Sequence, residues 1–275
     1  MKPIIVRGGG DLATGTIYKL SKSGYPVIIL ESERPSAIRR LASFCQAVYV
    51  GTMEVEGMVC TRVNSFEEAL EKSAPGNPVL LADKEGSSLK TYHPEILIDG
   101  ILAKKNLGTR RDMAELTIAL GPGFEAGNDV DYVIETKRGH YLGRIIESGF
   151  AIANTGIPGV IGGYGKERVI HAPCSGVFHQ RHEIGDWVEV GESIGWIETE
   201  QGTVEVCTEI PGVLRGIIQD GFLVTEHFKT ADVDPRKESA AYCALISDKA
   251  RCIAGSVLEL VSAYEKGMLK KNHEN

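Results

Sequence analysis

The sequence lacks several features that define specialised classes of protein. Its 275 residues carry 30 Lys and Arg against 37 Asp and Glu, a net charge of −7. No basic excess is therefore available for sequence-independent binding to nucleic acid. There is no apolar run of membrane-spanning length and no N-terminal pattern typical of a secretory signal peptide. We therefore expect a cytoplasmic protein that binds neither nucleic acid nor membranes.

The cysteines also lack the spacing of a disulfide or zinc framework. There are 6 of them, scattered and without a C-x-x-C pair, so we expect reduced thiols. The pairs His171/Cys174 and His179/His182 have a spacing that occurs at metal sites. Successive residues of a strand point to opposite faces, however, which separates partners at odd offsets. We predict no metal site.

The most informative stretch lies near the start of the chain, where a β-branched run at residues 4–6 leads into three glycines. This pattern predicts a strand, a tight turn and a helix. Such a turn directs helix N-terminal N–H groups at a phosphate and lets a ligand approach the backbone. The alternative is that the glycines only permit a sharp turn. The predicted cofactor-binding turn, G-x-G-x-x-A from the first glycine, consists of Gly8, Gly9, Gly10, Asp11, Ala13 and Thr14.

A second apolar run, residues 27–30, ends in Glu31. In dinucleotide-binding proteins a carboxylate about 20 residues after the glycine turn holds the ribose. Glu31 favours the ribose of NAD, whereas nearby Arg34 leaves the 2′-phosphate of NADP open. A molybdopterin-type cofactor also presents a phosphate to such a turn. We therefore predict a small phosphate-bearing ligand, either NAD(P) or a molybdopterin-type cofactor.

The remainder of the N-terminal half alternates short apolar runs with helical patterns. This predicts a Rossmann-like α/β domain over residues 1–155, with a mostly parallel sheet covered on both faces. Within it we expect a helix over residues 34–41 and a strand over residues 47–50. Ser65 and Glu68 form a capping box that starts a further helix.

Two loops of this half carry residues suited to binding. Gly121 and Gly123 follow a buried-type strand, where ligands of open α/β sheets bind. Arg138 lies in a basic segment with Arg144 close behind, and these cations suit an anionic group. An ordinary hairpin and a solvated basic loop are the alternatives. We include Gly121, Gly123 and Arg138 among the predicted cofactor-binding residues.

The sequence pattern changes after a glycine-rich linker at residues 156–165. Residues 166–236 show short strands with Gly turns, typical of a small β domain, and resemble the biotinyl/lipoyl or barrel-sandwich hybrid domain. Carrier domains of that kind attach their cofactor to a lysine, but none occurs between Lys166 and Lys229. We expect no covalent biotin or lipoate. Residues 237–275 are predicted helical, with an apolar stripe that must be buried on the first domain or on a partner subunit, as in a homo-oligomer.

Several sequence segments, taken together, resemble those of a known family. They are residues 6–15, 120–127, 134–140, 231–236 and the tail at 246–250. In these segments the chain is similar to the accessory proteins of the selenium-dependent molybdenum hydroxylases, the YqeB-like proteins. The resemblance implies a maturation role, with the hydroxylase or its other accessory proteins as partners, and assigns no catalytic residue.

Three functions therefore stand as expectations. The first is a maturation factor that binds a nucleotide or a molybdopterin-type ligand at the glycine turn. The second is an NAD(P)-dependent oxidoreductase of a small metabolite, for which Asp99, Lys104 and His140 are the candidate proton donors or acceptors. The third is a non-enzymatic adaptor that docks through its β domain and C-terminal helix.

Overall fold

The computed structural model describes residues 2–154, 156 and 159–269. These residues form two units. The first unit contains residues 2–35, 43–154 and 246–269, and the second contains residues 36–42, 156 and 159–245. The predicted linker includes Ile157 and Pro158, which lie outside the described residues.

The first unit is built from short strands that are largely β-branched and from α-helices of very different length. Strand β1 shows the pattern, because its four residues, Ile-Ile-Val-Arg, are all buried. The elements are β1 (Ile4–Arg7), α1 (Asp11–Lys22), β2 (Val27–Glu31), α2 (Ala47–Val50), β3 (Thr52–Val55), β4 (Met58–Val63), α3 (Phe66–Lys72), β5 (Val79–Ala82), β6 (Ile96–Asp99), β7 (Leu116–Leu120), β8 (Glu125–Ala126), β9 (Tyr132–Ile134), β10 (Ile145–Ile146), β11 (Gly149–Phe150) and α4 (Asp248–Glu265).

Nine of these strands form one mixed sheet in the order β10-β9-β7-β6-β1-β2-β5-β4-β3. The central strand β1 pairs in parallel with β2 on one side and with β6 on the other. The chain therefore leaves β1 in one direction and later returns to its opposite side, which makes the carboxyl end of β1 a topological switch point. Both edge strands, β3 and β10, pair antiparallel to their neighbours.

Helices α1 and α4 together cover one face of this sheet, with their apolar residues in its main core. A Cβ added at Gly15 of α1 would lie 2.8 Å from the Cβ of Ala250 in α4, so the glycine allows the helices to approach closely. The predicted apolar stripe of the tail, including Ile253, Val257 and Val261, is buried in the first unit. Among the residues described, no helix combines the length and apolar character needed to cross a bilayer.

The α/β class is confirmed, but the finer prediction of a Rossmann-like domain is corrected. The sheet is mixed, and the connections β6–β7 and β7–β9 contain no α-helix within the described residues. Short 3₁₀ turns and loops cover much of the second face, where α3 packs through Phe66 and Ala69. The prediction of helices on both faces was based on the apolar runs of the strands. Such runs show that a strand is buried, but they do not show whether a helix or a loop covers it.

Two local predictions in the segment after Glu31 are wrong. The structure has only a 3₁₀ turn at Arg40–Ala42 where a helix over residues 34–41 was predicted. Residues 36–42 belong to the second unit, and there the carbonyl of Ile38 accepts a hydrogen bond from the N–H of Ile217 at 2.9 Å. The predicted strand over residues 47–50 is helix α2. Burial of its Ala47 and Val48 in the core outweighs the strand preference of valine.

The predicted capping box is confirmed. The Ser65 hydroxyl accepts from the N–H of Glu68 at 3.1 Å, and α3 begins at the next residue. The Glu68 carboxylate accepts from the N–H of Asn64 at 2.8 Å, one residue before the usual position.

The second unit consists of two four-stranded antiparallel sheets, ordered β12-β19-β17-β14 and β16-β15-β13-β18. A barrel-sandwich hybrid is not shown, and this part of the prediction is corrected to two separate sheets. The turn between β15 and β16 consists of Glu200 and Gln201 and presents no lysine. The strands are β12 (Val169–His171), β13 (Gly176–Gln180), β14 (Trp187–Val188), β15 (Ser193–Thr199), β16 (Gly202–Cys207), β17 (Gly212–Ile217), β18 (Phe222–Val224) and β19 (Lys229–Asp234).

An ionic cluster, formed by Arg168, Arg215, Asp232, Asp234 and Arg236, lies around strand β19. Arg168 and the two aspartates are buried, Arg215 is partly buried and Arg236 is exposed. Asp232 accepts from Arg168 at 3.3 Å and also pairs with Arg215. Asp234 accepts two hydrogen bonds from the guanidinium of Arg236, at 2.9 and 2.8 Å. Burial lowers the pKa of Arg168, an effect that Asp232 opposes. Each buried charge thus depends on an opposite charge beside it.

We predict that Asp232→Asn destabilises the second unit by about 3–5 kcal/mol, because it leaves buried Arg168 without its nearest counter-charge. The chain's 2 tryptophans, Trp187 and Trp196, lie in this unit, whereas the described α-helices all lie in the first. Tryptophan fluorescence during urea unfolding therefore follows the second unit, and circular dichroism at the helical wavelength follows the first.

The matched control is Glu198→Gln, since the Glu198 carboxylate pairs with His179 at the surface and such pairs contribute little. Equal fluorescence midpoints for the two variants would contradict a structural role for the ionic cluster.

The same cluster predicts sensitivity to acid. Burial acts to raise the pKa of Asp234, but the hydrogen bonds from Arg236 outweigh it and hold that pKa below its usual value. This contribution to the free energy of unfolding is fully present above the unfolded pKa, about 3.9, and is lost as the pH falls through the folded value. Fluorescence-detected stability should fall below about pH 4, and less steeply in Asp234→Asn. Identical pH profiles would contradict this assignment.

Candidate functional site

The glycine turn lies where the sequence predicts it, between β1 and α1 at the switch point of the sheet. The N–H of Gly8 donates to the carbonyl of Leu30 at 2.8 Å, and the carbonyl of Arg7 accepts from the N–H of Gly100 at 2.8 Å. The turn is therefore fixed to the ends of both neighbouring strands. Gly10 is the N-cap of α1, and no side chain caps the helix there.

The first two glycines are required by the fold. Gly8 has φ +92°, and a Cβ there would lie 3.0 Å from the backbone of Gly100. A Cβ at Gly9 would lie 3.1 Å from the backbone nitrogen of Cys45. In contrast, Gly10 has φ −66°, and a Cβ there would meet nothing within 4 Å. The space above Gly10 is open to a ligand.

Hydrogen bonds from the buried residues Phe44 and Cys45 hold the turn in place. The carbonyl of Gly9 accepts from the N–H of Cys45 at 2.8 Å and from the hydroxyl of Thr14 at 3.1 Å. The same hydroxyl accepts from the N–H of Phe44 at 2.9 Å. Thr14 therefore braces the turn from the helix side, and Ala13 is buried beside Gly100.

The Glu31 carboxylate is held beside this turn. One of its oxygens accepts from the N–H of Gly9 at 2.8 Å, and the other from the N–H of Ser32 at 2.7 Å. Burial raises the pKa of Glu31, and these two N–H donors oppose that shift. A carboxylate has about four acceptor positions, so it retains capacity for a ligand hydroxyl.

A cleft of about 420 Å³ lies beyond the carboxyl ends of β2 and β5, next to Glu31 along the chain. Asp83 forms part of one wall. Burial acts to raise the pKa of its carboxyl, but hydrogen bonds from Ser88 and Ser87 hold that pKa below its usual value. The volume falls within the range of small-molecule pockets. The cleft is lined by Ser32, Glu33, Arg34, Ala82, Asp83, Lys84, Glu85 and Ser87.

The candidate catalytic residues are not brought together. Asp99 is buried, accepting from the Thr109 hydroxyl at 2.6 Å, and that hydroxyl accepts from Arg7 at 2.6 Å. Burial raises the pKa of Asp99, against the effects of Thr109 and Arg7. Lys104 and His140 are exposed, and no hydrogen bond or ion pair within residues 2–154 joins either of them to Asp99. Asp99 thus belongs to a structural ion pair.

The other predicted binding residues lie in different surroundings. A Cβ at Gly121 would lie 2.7 Å from the Thr136 hydroxyl, and one at Gly123 would lie 2.7 Å from the backbone of Lys105. Close packing of loops therefore accounts for both glycines. Arg138 forms a bidentate pair with Asp248, at 2.8 and 3.0 Å.

Two of the residues that brace the site, Cys45 and Arg7, are not predicted from the sequence. Cys45 is buried, and burial first, then the charge of Glu31, raises the pKa of its thiol well above the usual value. Nothing in the local pattern connects Cys45 to the turn. Arg7 did leave a signal, because a charged residue ends an otherwise apolar strand. In the described part of the chain, no group of three or more His, Cys, Asp or Glu is arranged to hold a metal.

Comparison with known proteins gives one extensive sequence relative. The chain is 45% identical over 256 residues to a protein of Escherichia coli K12 described as "Uncharacterized protein YqeB", a match that covers 93% of this chain and 46% of the relative. The chain thus spans about half the length of the curated relative it matches. No protein-family model matches it.

The solved structures that resemble this chain do so only weakly. A succinylglutamate desuccinylase/aspartoacylase from Rhodobacter sphaeroides is 15% identical, with 86% of each chain covered and a TM-score of 0.29. An aspartoacylase family protein from Mesorhizobium loti is 10% identical, with 86% of each chain covered and a TM-score of 0.29. The ectoine utilization protein EutE of Ruegeria pomeroyi is 11% identical, covering 84% of this chain and 85% of its own, with a TM-score of 0.26.

These comparisons contradict the predicted family of molybdenum hydroxylase accessory proteins. The relative is described as uncharacterized, and the similar solved structures are described as acylases, desuccinylases or an ectoine utilization protein. The predicted role as a maturation factor is therefore wrong, and neither the NAD(P)-dependent oxidoreductase nor the docking adaptor fits these findings. With TM-scores this low, the likenesses identify no activity for this chain.

The different environments of the glycines give a test of the site geometry. Gly10→Ala should change the free energy of unfolding by less than about 1 kcal/mol, because its backbone suits alanine and its surroundings are open. Gly8→Ala should cost about 2 kcal/mol or more, because alanine would be strained at φ +92° and crowded by Gly100. Urea unfolding followed by circular dichroism measures both. Equal losses would contradict the open space at Gly10.

Proposed function

We propose that the first unit binds a nucleotide of the NAD class at Gly9, Gly10 and Glu31. The observation that carries this proposal is the Glu31 carboxylate, fixed at 2.8 Å from the N–H of Gly9 at the carboxyl end of the sheet. There it has the position of a ribose-binding carboxylate relative to a glycine turn at a switch point. We propose binding and assign no reaction.

The open space at Gly10 supports the approach of a phosphate. The first turn of a helix has N–H groups without partners in the helix, and its dipole favours negative charge. No side chain caps α1. Asp11 in that turn adds an opposing negative charge, so a bridging diphosphate contacting the backbone of Gly10 fits better than a terminal phosphate of higher charge.

The position of Glu31 also supports a ribose with free hydroxyls. A carboxylate accepts hydrogen bonds from the 2′-hydroxyl of NAD and repels the 2′-phosphate of NADP. Arg34 lines the neighbouring cleft, but Glu33 and Glu85 line it as well. The local charge therefore favours NAD over NADP.

Isothermal titration of the purified chain with NAD and NADP tests the proposal. The wild type should bind NAD at least tenfold more tightly than NADP. Gly10→Val should lose this binding while keeping the helical circular dichroism signal, because its side chain would occupy open space above the turn. Glu31→Gln should reduce the preference for NAD over NADP.

The control is Gly255→Val, a substitution at another glycine of the first unit without nearby atoms around its Cβ position. It should leave NAD binding unchanged. Undiminished binding by Gly10→Val, or no binding by the wild type, would remove the glycine turn from the site.

A further inference from the structure

Helices α1 and α4 of the first unit run side by side in the same direction. Near their starts, a Cβ added at Gly15 of α1 would lie 2.8 Å from the Cβ of Ala250 in α4. Near their ends, the hydroxyl of Tyr25, just after α1, donates to the carboxylate of Glu265, the last residue of α4, at 2.6 Å. The start of α4 therefore lies at the same end of the sheet as the glycine turn, from which α1 begins.

The second residue of α4, Lys249, lies close to that turn. It directly precedes Ala250, which meets Gly15 of α1. Gly15 follows Gly10 by five residues, about 7.5 Å along the helix axis. The charge of Asp11, the residue after Gly10, also acts on Lys249. Because a lysine ammonium is carried on a flexible four-carbon stem, it is within reach of the turn.

The carboxylates next to this lysine are engaged elsewhere. Asp248 forms the bidentate pair with Arg138, at 2.8 and 3.0 Å. Glu135 accepts from two backbone N–H groups, at 2.7 and 2.8 Å. Among the described residues, none forms a hydrogen bond or an ion pair with the ammonium of Lys249. A half-buried lysine thus lies in the first turn of α4 without a counter-charge in contact with it.

This position is unfavourable for a cation when no ligand is bound. The N-terminus of a helix carries a positive partial charge, which repels a lysine in its first turn. Burial first, and then the charge of Arg138, lowers the pKa of Lys249. The carboxylates of Asp11, Glu135 and Asp248 oppose this shift without cancelling it. A lowered lysine pKa means that the fold disfavours the charged form, so the ammonium costs stability at neutral pH.

We propose that Lys249 binds the diphosphate of the nucleotide at the glycine turn. This inference rests on the proposed binding of a nucleotide of the NAD class. The lysine ammonium contacts the diphosphate from the side of α4, and the backbone at Gly10 contacts it from α1. The positive charge of Lys249 also offsets that of Asp11, which by itself opposes a phosphate at the start of α1.

The substitution Lys249→Met tests this role, because it keeps an unbranched side chain and removes the charge. In isothermal titration the variant should bind NAD at least tenfold more weakly than the wild type. Its affinity should also depend less on salt, since salt screens a contact between opposite charges. Lys249→Arg keeps the charge and should retain most of the affinity. Without ligand, Lys249→Met should unfold at the same or a higher urea concentration, measured by circular dichroism.

The control is Lys19→Met, which removes the same charge from the last turn of α1, at the opposite end of the helix pair. It should bind NAD as the wild type does, with the same salt dependence. If the wild type binds NAD and Gly10→Val does not, equal binding by Lys249→Met overturns the role of the lysine and leaves the nucleotide site standing. A lower urea midpoint of Lys249→Met without ligand also overturns it, because the lysine would then stabilise the fold. No binding of NAD by the wild type overturns both proposals.

Discussion

The close contact between α1 and α4 is the constraint on which the first unit depends. These helices are far apart in the sequence, and they meet where Gly15 leaves room for Ala250. Their joint apolar surface covers the face of the sheet that contains Val6, Ile29 and Ile98. Because α1 begins at the glycine turn, this contact also sets the direction in which the first N–H groups of the helix point. The last described helix therefore stabilises a site formed near the start of the chain.

The sequence predicts the elements whose signals are local. The turn at Gly8 to Gly10, the position of Glu31 and the cap at Ser65 all depend on residues close in the chain, and the structure places each as expected. Helix α2 does not follow its local preference, because burial of its Ala47 and Val48 decides its conformation.

What the sequence does not predict depends on distant partners. Gly121 and Gly123 suggest a binding loop, yet the backbone of Lys105 and the side chain of Thr136 account for their small size. Cys45 reaches Gly9 only because the chain returns from the second unit at residue 43. The edge position of β10 is likewise a property of sheet order, which two isoleucines cannot specify.

In both units, buried charged side chains are paired with opposite charges. In the first, Arg7 and Asp99 lie 3.8 Å apart, and the Thr109 hydroxyl bridges them. In the second, buried Asp232 pairs with buried Arg168, and buried Asp234 pairs with the exposed Arg236. A buried ion pair is weak evidence for net stability, because desolvation offsets much of the attraction. Removing one partner is nevertheless destabilising, because the remaining charge stays buried without its counter-charge.

The open Cβ space distinguishes Gly10 from the other glycines of the turn. Gly8 is constrained by its φ value and Gly9 by the backbone of Cys45, so the fold alone explains both. At Gly10 a side chain would be sterically tolerated, and an N-cap serine or aspartate would stabilise α1. A fold without a ligand would therefore gain from a side chain at this position. The open side of this glycine, beside the carboxylate of Glu31, is where the proposed nucleotide would approach the turn.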